Sequence, residues 1–405
     1  MQYAIVILDG ASGCAVPEFN NQTSLEASAT PNLDQLAAQG TVGMIQNVPS
    51  HLISGSDVAC LSIMGYDPAL FAVGRGAIEA ASLGINLKPG QVAFRMNLTY
   101  VENEIMKSYS TDNLSTEDAH ALAYEIKEAL DDETFTLYPG TSFRHILVVE
   151  GHPNMAKLDF ETPHDNTESN ISQKYQAKTT SPQQEAFSAL LRSYQNKVNA
   201  ILEKSTVNAR RISQGLHPAN FAWLFWPGVR PDSLKPFYDL YHKKAASNSG
   251  VDLLDGLARM TGIKTYHFEG VTDGPTNDYK SQGRGGIHML EDGNDFVIIH
   301  VEAPDAAGHD GRPDEKRSSI EAIDAHIIAP LMEYARKHPL RIAAMPDHPT
   351  PLNTRKHSHD PVPFVLNGPG ITANGARRLT EKEAHSTGLF IPDGHTFLQK
   401  YLFLE

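Results

Sequence analysis

Cysteine is scarce in this sequence of 405 residues, in which Cys14 and Cys60 are the only two. A chain of this length can bury a large core without a disulfide framework, so a reducing compartment is expected. Long hydrophobic runs are missing too, because no stretch approaches the roughly 18 apolar residues of a membrane helix. The apolar run from Tyr3 to Leu8 is too short for a signal sequence. We therefore expect a cytoplasmic protein without a membrane partner.

Positive charge is also in short supply. Lys and Arg together number 34 against 48 Asp and Glu, which gives a formal net charge of −14. Nucleic acids and anionic membranes carry negative charge themselves, so a chain this acidic is a poor partner for either. A small anionic ligand remains compatible with the composition if local cations or metal ions offset the overall field. The oligomeric state is left open by the sequence.

Apolar runs at both ends of the chain predict an α/β core. Residues 3–8 are continuously apolar and rich in β-branched side chains, which is typical of a strand buried on both faces of a parallel sheet. Helical patterns accompany the later runs, such as the one around Ile320, Ile323 and Ile327. This alternation predicts a doubly wound, mostly parallel sheet. The other predicted core strands are residues 221–226, 296–301, 342–345 and 363–366.

The middle of the chain has a different pattern, which predicts an inserted α+β unit. One helical pattern follows Ser115 and another follows Ser181. Between them, the segments FTLYPG and RHILVVEG are typical of a short antiparallel pair of strands. We therefore predict a cap domain at residues 91–209, inserted into a core formed by residues 1–90 and 210–405.

An acidic residue follows three of the predicted core strands. Asp9 comes after YAIVIL, Asp305 after FVIIHVEAP and Asp347 after RIAAMP. In open α/β sheets the ligand site lies beyond the carboxyl ends of the strands, so these three carboxylates should share one edge. Carboxylates gathered in this way repel one another unless a cation is present. The pattern therefore predicts a metal site.

Histidines beside these acids favour a divalent transition metal. His309 lies four residues after Asp305, His348 directly follows Asp347, and His357 and His359 come shortly afterwards. Carboxylate and imidazole ligands together suit Zn²⁺, Mn²⁺ and similar ions without selecting one sharply. Each Asp could instead start a turn, and each His could be an exposed surface residue that binds nothing. For the set as a whole, the metal interpretation is favoured.

Ser56 stands in HLISGSDVACLSIMGYDP, where a loop changes into an apolar, helix-like run. A Ser at such a position is commonly the N-cap of the helix. It could also be a nucleophile, because the backbone N–H groups at a helix N-terminus bind phosphoryl oxygens and a metal ion can activate the hydroxyl. The two roles are compatible.

Several segments, in the same order along the chain, resemble the archaeal-type cofactor-independent phosphoglycerate mutases of the alkaline phosphatase superfamily. They cover both ends of the chain and together are far more specific than any single motif. The segments are LDG (8–10), SLEASATPNLDQLAAQG (24–40), GSDVACLSIMGYDP (55–68), GRGAIEAASLGI (74–85), VAFRMNL (92–98), HVEAPDAAGHDG (300–311), PDHPTP (346–351) and HSHDPVPF (357–364).

The resemblance implies an alkaline-phosphatase-like fold with two divalent ions, with Mn²⁺ favoured and Mg²⁺, Co²⁺ or Zn²⁺ as alternatives, and no need for 2,3-bisphosphoglycerate. It implies that Ser56 is phosphorylated and also contacts a metal ion. The implied ligands are Asp9, Asp347 and His348 for one ion and Asp305, His309 and His357 for the other, with His357 preferred to His359.

The reaction that the resemblance implies is the interconversion of 3-phosphoglycerate and 2-phosphoglycerate through a phosphoserine, beneath a cap that excludes water. The alternative is a related phosphotransferase or phosphatase, either homoserine kinase-like or a phosphomonoester hydrolase. Cys60 occupies a position where the family is expected to carry His or Asn. The expected substrate-binding residues are Arg75, Arg144, His145, His164 and Lys280, of which Arg75 and Lys280 are also expected to be catalytic.

Overall fold

The computed structural model describes residues 1–71 and 73–404. The chain divides into two compact units. The core unit consists of the described parts of Met1–Ala72 and Ser233–Glu405, and the inserted unit is Val73–Asp232. Among the described residues, no helix has both the length and the hydropathy needed to cross a membrane.

The elements follow one another in chain order. The core unit begins with β1 Gln2–Leu8, α1 Ser24–Ala27, α2 Pro31–Gln39, β2 Thr41–Ile45 and α3 Ser56–Ile63. The inserted unit contains α4 Arg75–Ser82, β3 Val92–Glu102, β4 Ile105–Ser108, α5 Thr116–Leu130, β5 Phe135–Tyr138, β6 Arg144–Val149, α6 Pro182–Lys204, α7 Thr206–Ser213 and β7 Phe221–Gly228. The core unit resumes with α8 Phe237–Tyr241, β8 Ala245–Asn248, α9 Asp252–Met260, β9 Lys264–Tyr266, α10 Tyr279–Glu291, β10 Phe296–Val301, α11 Ala303–Asp310, α12 Pro313–Ile323, α13 Ala329–Ala335, β11 Leu340–Met345, β12 Val362–Asn367, α14 Glu381–Ser386 and β13 Phe390–Ile391.

The described part of the core unit contains an eight-stranded sheet in the order β13-β2-β12-β11-β1-β10-β8-β9. Strand β1 lies between β11 and β10 and is parallel to both, whereas β12 is antiparallel to β11 and β2. The side chains from Ala4 to Leu8 are fully buried, as a strand covered on both faces requires. The predicted α/β class, with a mostly parallel core sheet and an inserted α+β unit, is confirmed.

The inserted unit is built on an antiparallel sheet in which β3 pairs with β4, β6 and β7, and β6 also pairs with β5. The predicted pairing of FTLY with RHILVV is present as β5 and β6. The assignment of residues 221–226 to the core sheet was wrong, because this strand is β7 and pairs with β3. A buried apolar run looks the same in the centre of either sheet, so the sequence could not tell the two apart.

The inserted unit extends beyond the predicted cap of 91–209 at both ends. Helix α4 packs on β3 and β7, which brings the start of the unit to Val73. Strand β7 completes the sheet and carries the unit to Asp232. The boundaries follow from these tertiary contacts, which no local change of composition marks.

Candidate active site

Three adjacent strands deliver the predicted acids to one edge of the core sheet. Asp9 directly follows β1, Asp305 lies in α11 just after β10, and Asp347 comes two residues after β11. Because β10, β1 and β11 are neighbouring parallel strands, their carboxyl ends meet at the same edge. The antiparallel strand β12 starts at that edge as well, so the connecting residues 346–361 stay beside it.

The first group of ligand-type side chains consists of Asp9, Asp347 and His348, all of which are buried. The Nε2 atom of His348 lies 3.2 Å from Asp347 Oδ2 and 3.7 Å from Asp9 Oδ1. The Oδ1 atom of Asp9 is buried and receives no hydrogen bond from the residues that the structure describes. A cation is the natural partner for an oxygen in that position. We call these three residues the first ligand set.

The second ligand set consists of Asp305, His309 and His357. The Nε2 atom of His309 lies 3.2 Å from Asp305 Oδ2, and the Nε2 atom of His357 lies 3.5 Å from Asp305 Oδ1. The two Nε2 atoms are 2.8 Å apart. All three side chains therefore direct their ligand atoms towards one small volume.

Backbone carbonyls fix the neutral tautomer of the two histidines of the second set. His309 Nδ1 lies 3.0 Å from the carbonyl oxygen of Arg355, and His357 Nδ1 lies 3.3 Å from that of Ser54. A carbonyl only accepts hydrogen bonds, so Nδ1 must carry the proton in both rings. In the neutral form of each ring, the form that binds a metal ion, this leaves the lone pair on Nε2, the atom that faces Asp305. Such support is typical of metal-ligating histidines, so the residues present fit a divalent ion.

The electrostatics of this sheet edge also favour a cation, because its buried carboxylates repel one another. Burial, together with the nearby charges of Asp347, Glu302 and Asp305, raises the pKa of Asp9 well above its usual value. Burial also raises the pKa of Glu302 to about 7. A divalent ion would remove this penalty by neutralising the carboxylates.

The metal-free protein is expected to lose stability as the pH rises from about 6.5 to 8. Burial raises the pKa of Glu302 to about 7, and a hydrogen bond to Asp305 raises that of His309 to about 8. Stability that comes from a raised folded-state pKa is lost as the pH rises through that pKa. Burial lowers the pKa of His300 to about 4, but this opposing effect ends near the unfolded value of 6.5.

Thermal melts at pH 6.5 and 8, in EDTA and in Mn²⁺, test this pH dependence. The melting temperature in EDTA should fall by a few degrees between the two pH values, and Mn²⁺ should abolish that fall because it replaces the protons. A melting temperature that rises with pH in EDTA would contradict the electrostatic interpretation of the site.

Ser56 is the first residue of α3, and the N-cap is Gly55. Of the two roles considered for Ser56, the structure does not show capping, since no side-chain hydrogen bond caps this helix. Its hydroxyl Oγ instead lies 3.2 Å from Nε2 of His348, a member of the first ligand set. The structure therefore places the hydroxyl at the helix start and beside the metal-type ligands, as a nucleophile at this site requires.

The geometry also bears on the roles of His359 and Cys60. His359 Nε2 lies 2.7 Å from the carbonyl oxygen of Leu52, so this ring is engaged away from Asp305 and His357 is the better ligand. Cys60 is buried, and its Sγ lies 3.9 Å from Asp347 Oδ2. Burial raises the pKa of the Cys60 thiol well above its usual value, so the thiol is protonated beside the first ligand set.

Sequence reasoning missed two residues of this edge, His300 and Glu302. His300 Nε2 lies 2.7 Å from Asp9 Oδ2, and its Nδ1 lies 2.9 Å from Ser249 Oγ. Glu302 lies close enough to form a third ligand-type group with Asp9 and His300. Their place at the end of β10, in HVEAPD, was the signal that could have revealed them.

A cationic cluster surrounds Trp226 within the inserted unit. The guanidinium carbon atoms of Arg75 and Arg95 lie 4.7 and 5.5 Å from the Trp226 ring centroid, and the His164 ring centroid lies 6.2 Å from it. Arg95 also forms a 2.6 Å ion pair with Glu79. The structure thus brings together two of the predicted substrate-binding residues and adds Arg95, which sequence reasoning missed.

The remaining predicted substrate-binding residues have different surroundings. Arg144 is exposed at the start of β6, directly opposite Asn97 of β3. His145 is buried and its Nδ1 accepts a hydrogen bond from the N–H of Gly140, and its contact with substrate stays a prediction. Lys280 is exposed in the first turn of α10, and no hydrogen bond or ion pair joins it to any residue that the structure describes.

Comparisons of the sequence with known proteins point to one family. Residues 37–208 match the family described as 2,3-bisphosphoglycerate-independent phosphoglycerate mutase. A protein of that name from Methanosarcina barkeri is 36% identical over 390 residues, which cover 96% of each chain. Another from Methanosarcina mazei is 39% identical over 368 residues and 90% of each chain.

Solved structures support the fold. A protein from Pyrococcus horikoshii superposes with a TM-score of 0.81 at 28% identity, over 98% of this chain and 95% of the other. The cofactor-independent phosphoglycerate mutase from Thermoplasma acidophilum superposes with a TM-score of 0.71 at 24% identity, over 99% and 98% of the two chains. The second similarity concerns the fold alone.

Proposed function

The chain belongs to the 2,3-bisphosphoglycerate-independent phosphoglycerate mutase family, and we propose that it interconverts 3-phosphoglycerate and 2-phosphoglycerate in glycolysis and gluconeogenesis. The observation that carries the proposal is the contact of Ser56 with the first ligand set, at the sheet edge that also carries the second set. The choice of substrate follows the names of the relatives, which match over nearly the whole chain. We also propose that the protein acts in the cytoplasm.

The two ligand sets are proposed to hold two divalent ions, with Mn²⁺ favoured over Mg²⁺, Co²⁺ and Zn²⁺. When bound, such ions neutralise phosphoryl charge and favour the ionised form of a serine hydroxyl. The hydroxyl of Ser56, 3.2 Å from His348, is then suited to attack phosphorus. The N-terminus of α3 adds a partial positive charge next to the phosphoryl oxygens.

The transfer would occur in two balanced halves. In the first, Ser56 Oγ loses its proton and bonds to phosphorus as the bond from phosphorus to O3 of glycerate breaks, and O3 takes up a proton. Glycerate then reorients while it stays bound. In the second, its 2-hydroxyl oxygen loses a proton and bonds to the same phosphorus, and the bond to Ser56 Oγ breaks as Oγ takes up a proton.

The cationic cluster of the inserted unit is proposed to bind the carboxylate or phosphate of the substrate. Arg75 and Arg95 suit this role because guanidinium groups bind both anions through two parallel hydrogen bonds. Glu79 pairs with Arg95, so the two arginines still leave a net positive charge here in a chain whose net charge is −14, which favours an anionic ligand. Arg144, His164 and Lys280 stay candidates for the same role, and Arg75 and Lys280 for catalysis.

An enolase-coupled assay without 2,3-bisphosphoglycerate tests the proposed function. Metal-loaded protein should convert 3-phosphoglycerate in the presence of Mn²⁺ and lose this activity in EDTA. No turnover with Mn²⁺, Mg²⁺, Co²⁺ or Zn²⁺ would remove phosphoglycerate as the substrate. Release of inorganic phosphate faster than mutase turnover would indicate a phosphatase instead.

Replacing His357 with Ala should weaken Mn²⁺ binding and reduce turnover by roughly 10²-fold or more, because a ligand of the second set is lost. The matched control is His359→Ala, two residues away, whose ring is hydrogen-bonded to the Leu52 carbonyl; this variant should leave turnover within about twofold. Isothermal titration with Mn²⁺ and steady-state kinetics on both variants measure the difference. If His359→Ala were the damaging change, the ligand assignment would be reversed.

A further inference from the structure

Thr350 lies between the two ligand sets and is fully buried. Its hydroxyl Oγ1 donates a hydrogen bond to Asp305 Oδ1, in the second set. The same oxygen lies 3.4 Å from His348 Nδ1, in the first set. One hydroxyl group therefore contacts a ligand of each set.

The direction of these hydrogen bonds fixes the form of His348. The single hydroxyl proton of Thr350 is given to the Asp305 carboxylate, which can only accept. A hydrogen bond with His348 therefore needs an Nδ1–H that donates to Oγ1, which in the neutral ring leaves the lone pair on Nε2; the Pro349 backbone is a second hydrogen-bond partner of this ring. That atom faces Asp9 and Ser56, so the hydroxyl of Thr350 presents His348 as a ligand.

Thr350 is itself held in place from several directions. Its backbone N–H donates to the carbonyl oxygen of Ser12 at 3.1 Å, and its own carbonyl accepts from Lys316 Nζ at 2.6 Å. Lys316 is fully buried, so it has few alternative partners. A Cβ atom at Gly10 would lie 2.7 Å from Oγ1, and one at Gly308 would lie 2.8 Å from the Thr350 carbonyl. Two hydrogen bonds therefore hold the Thr350 backbone, and Gly10 and Gly308 approach it closely because they lack a side chain.

We propose that Thr350 is a positioning residue shared by the two metal sets, and that loss of its hydroxyl weakens the binding of both ions. The hydroxyl keeps Asp305 oriented in the second set and keeps Nε2 of His348 unprotonated in the first. The inference rests on the two-metal part of the proposed function, but it does not depend on which phosphorylated substrate the protein uses.

Titration of EDTA-treated, dialysed protein with Mn²⁺ alone tests the proposal. Calorimetry and the electron spin resonance signal of free Mn²⁺ measure the binding. Thr350→Val keeps the shape of the side chain and removes the hydroxyl, and it should lower the affinity for both ions by roughly 10- to 100-fold. Thr350→Ser restores the hydroxyl and should bind within a few-fold of wild type. A valine variant with unchanged affinity, or a serine variant as weak as valine, would overturn the proposal.

Variants in which one ligand set is disabled test whether Thr350 supports both sets or a single one. Adding Thr350→Val to His309→Ala should weaken the ion that the first set still holds, and adding it to His348→Ala should weaken the ion held by the second. Weakening in only one background would contradict the shared role. Circular dichroism of each metal-free variant checks the fold, and Thr350→Ala replaces the valine variant if that one does not fold.

A failure of the proposed substrate and a failure of the proposed metal site give different results. Wild-type protein that binds two Mn²⁺ ions but does not convert phosphoglycerate would remove the substrate from the proposed function and leave the role of Thr350 to be judged by titration. Wild-type protein that binds no Mn²⁺ would overturn the two-metal site and the role of Thr350 together.

Discussion

Replacing Ser56 with Ala is expected to reduce mutase turnover by roughly 10⁴-fold or more, because the substitution removes the atom that accepts the phosphoryl group. The hydroxyl makes no capping hydrogen bond in α3, so its removal costs the helix no capping interaction. Both ligand sets are intact in this variant. Steady-state kinetics should therefore show a collapse of kcat in a folded protein that still binds Mn²⁺.

The control for Ser56→Ala is Ser50→Ala, which changes an exposed serine in the same loop between β2 and α3. This variant should keep wild-type kinetics, since surface substitutions away from a site have small effects. Turnover by Ser56→Ala at a substantial fraction of the wild-type rate would show that another group accepts the phosphate. The residue that does so would then have to be found elsewhere on the sheet edge.

Asp347→Asn is expected to eliminate one of two bound Mn²⁺ ions and to reduce turnover by roughly 10³-fold or more. The Oδ1 atom of Asp347 accepts from the N–H groups of Gly10 and His348, and only an oxygen can take that position. An asparagine would therefore place its NH₂ group where Oδ2 now faces Nε2 of His348. A donor group in a ligand position repels a cation, although the volume of the side chain is unchanged.

Calorimetric titration with Mn²⁺ measures the loss directly, with Asp310→Asn as the matched control. Asp310 is exposed at the end of α11 and pairs with Arg312 at the surface. The Asp310 variant should keep two ions and normal turnover, whereas the Asp347 variant should bind one. Two ions bound with unchanged affinity in Asp347→Asn would exclude Asp347 as a ligand.

The metal-type residues of the core could be predicted because their positions follow from simple geometry. An acid directly after a buried parallel strand must lie at the carboxyl edge of the sheet, which holds for Asp9, Asp305 and Asp347 alike. The histidines lie close to these acids in sequence and were found with them. The assignment of all these residues as metal ligands stays a prediction.

Other features could not be predicted, because distant parts of the chain create them. The cluster around Trp226 combines Arg75 of α4 and Arg95 of β3 with a residue of β7, and nothing in any one segment marks it. Strand β7 was misplaced because its partner β3 lies more than a hundred residues earlier. Capping by Ser56 stayed an open alternative in the sequence because Gly55, which occupies the N-cap position, is also an accepted capping residue.

The phosphoryl acceptor can be identified directly by mass spectrometry of protein quenched in acid during turnover with 3-phosphoglycerate and Mn²⁺. The peptide that contains Ser56 should carry one phosphoryl group, and this group should be absent after EDTA treatment and in Ser56→Ala. Turnover accompanied by phosphate on a different residue, or by no phosphorylated peptide at all, would contradict a mechanism that passes through Ser56.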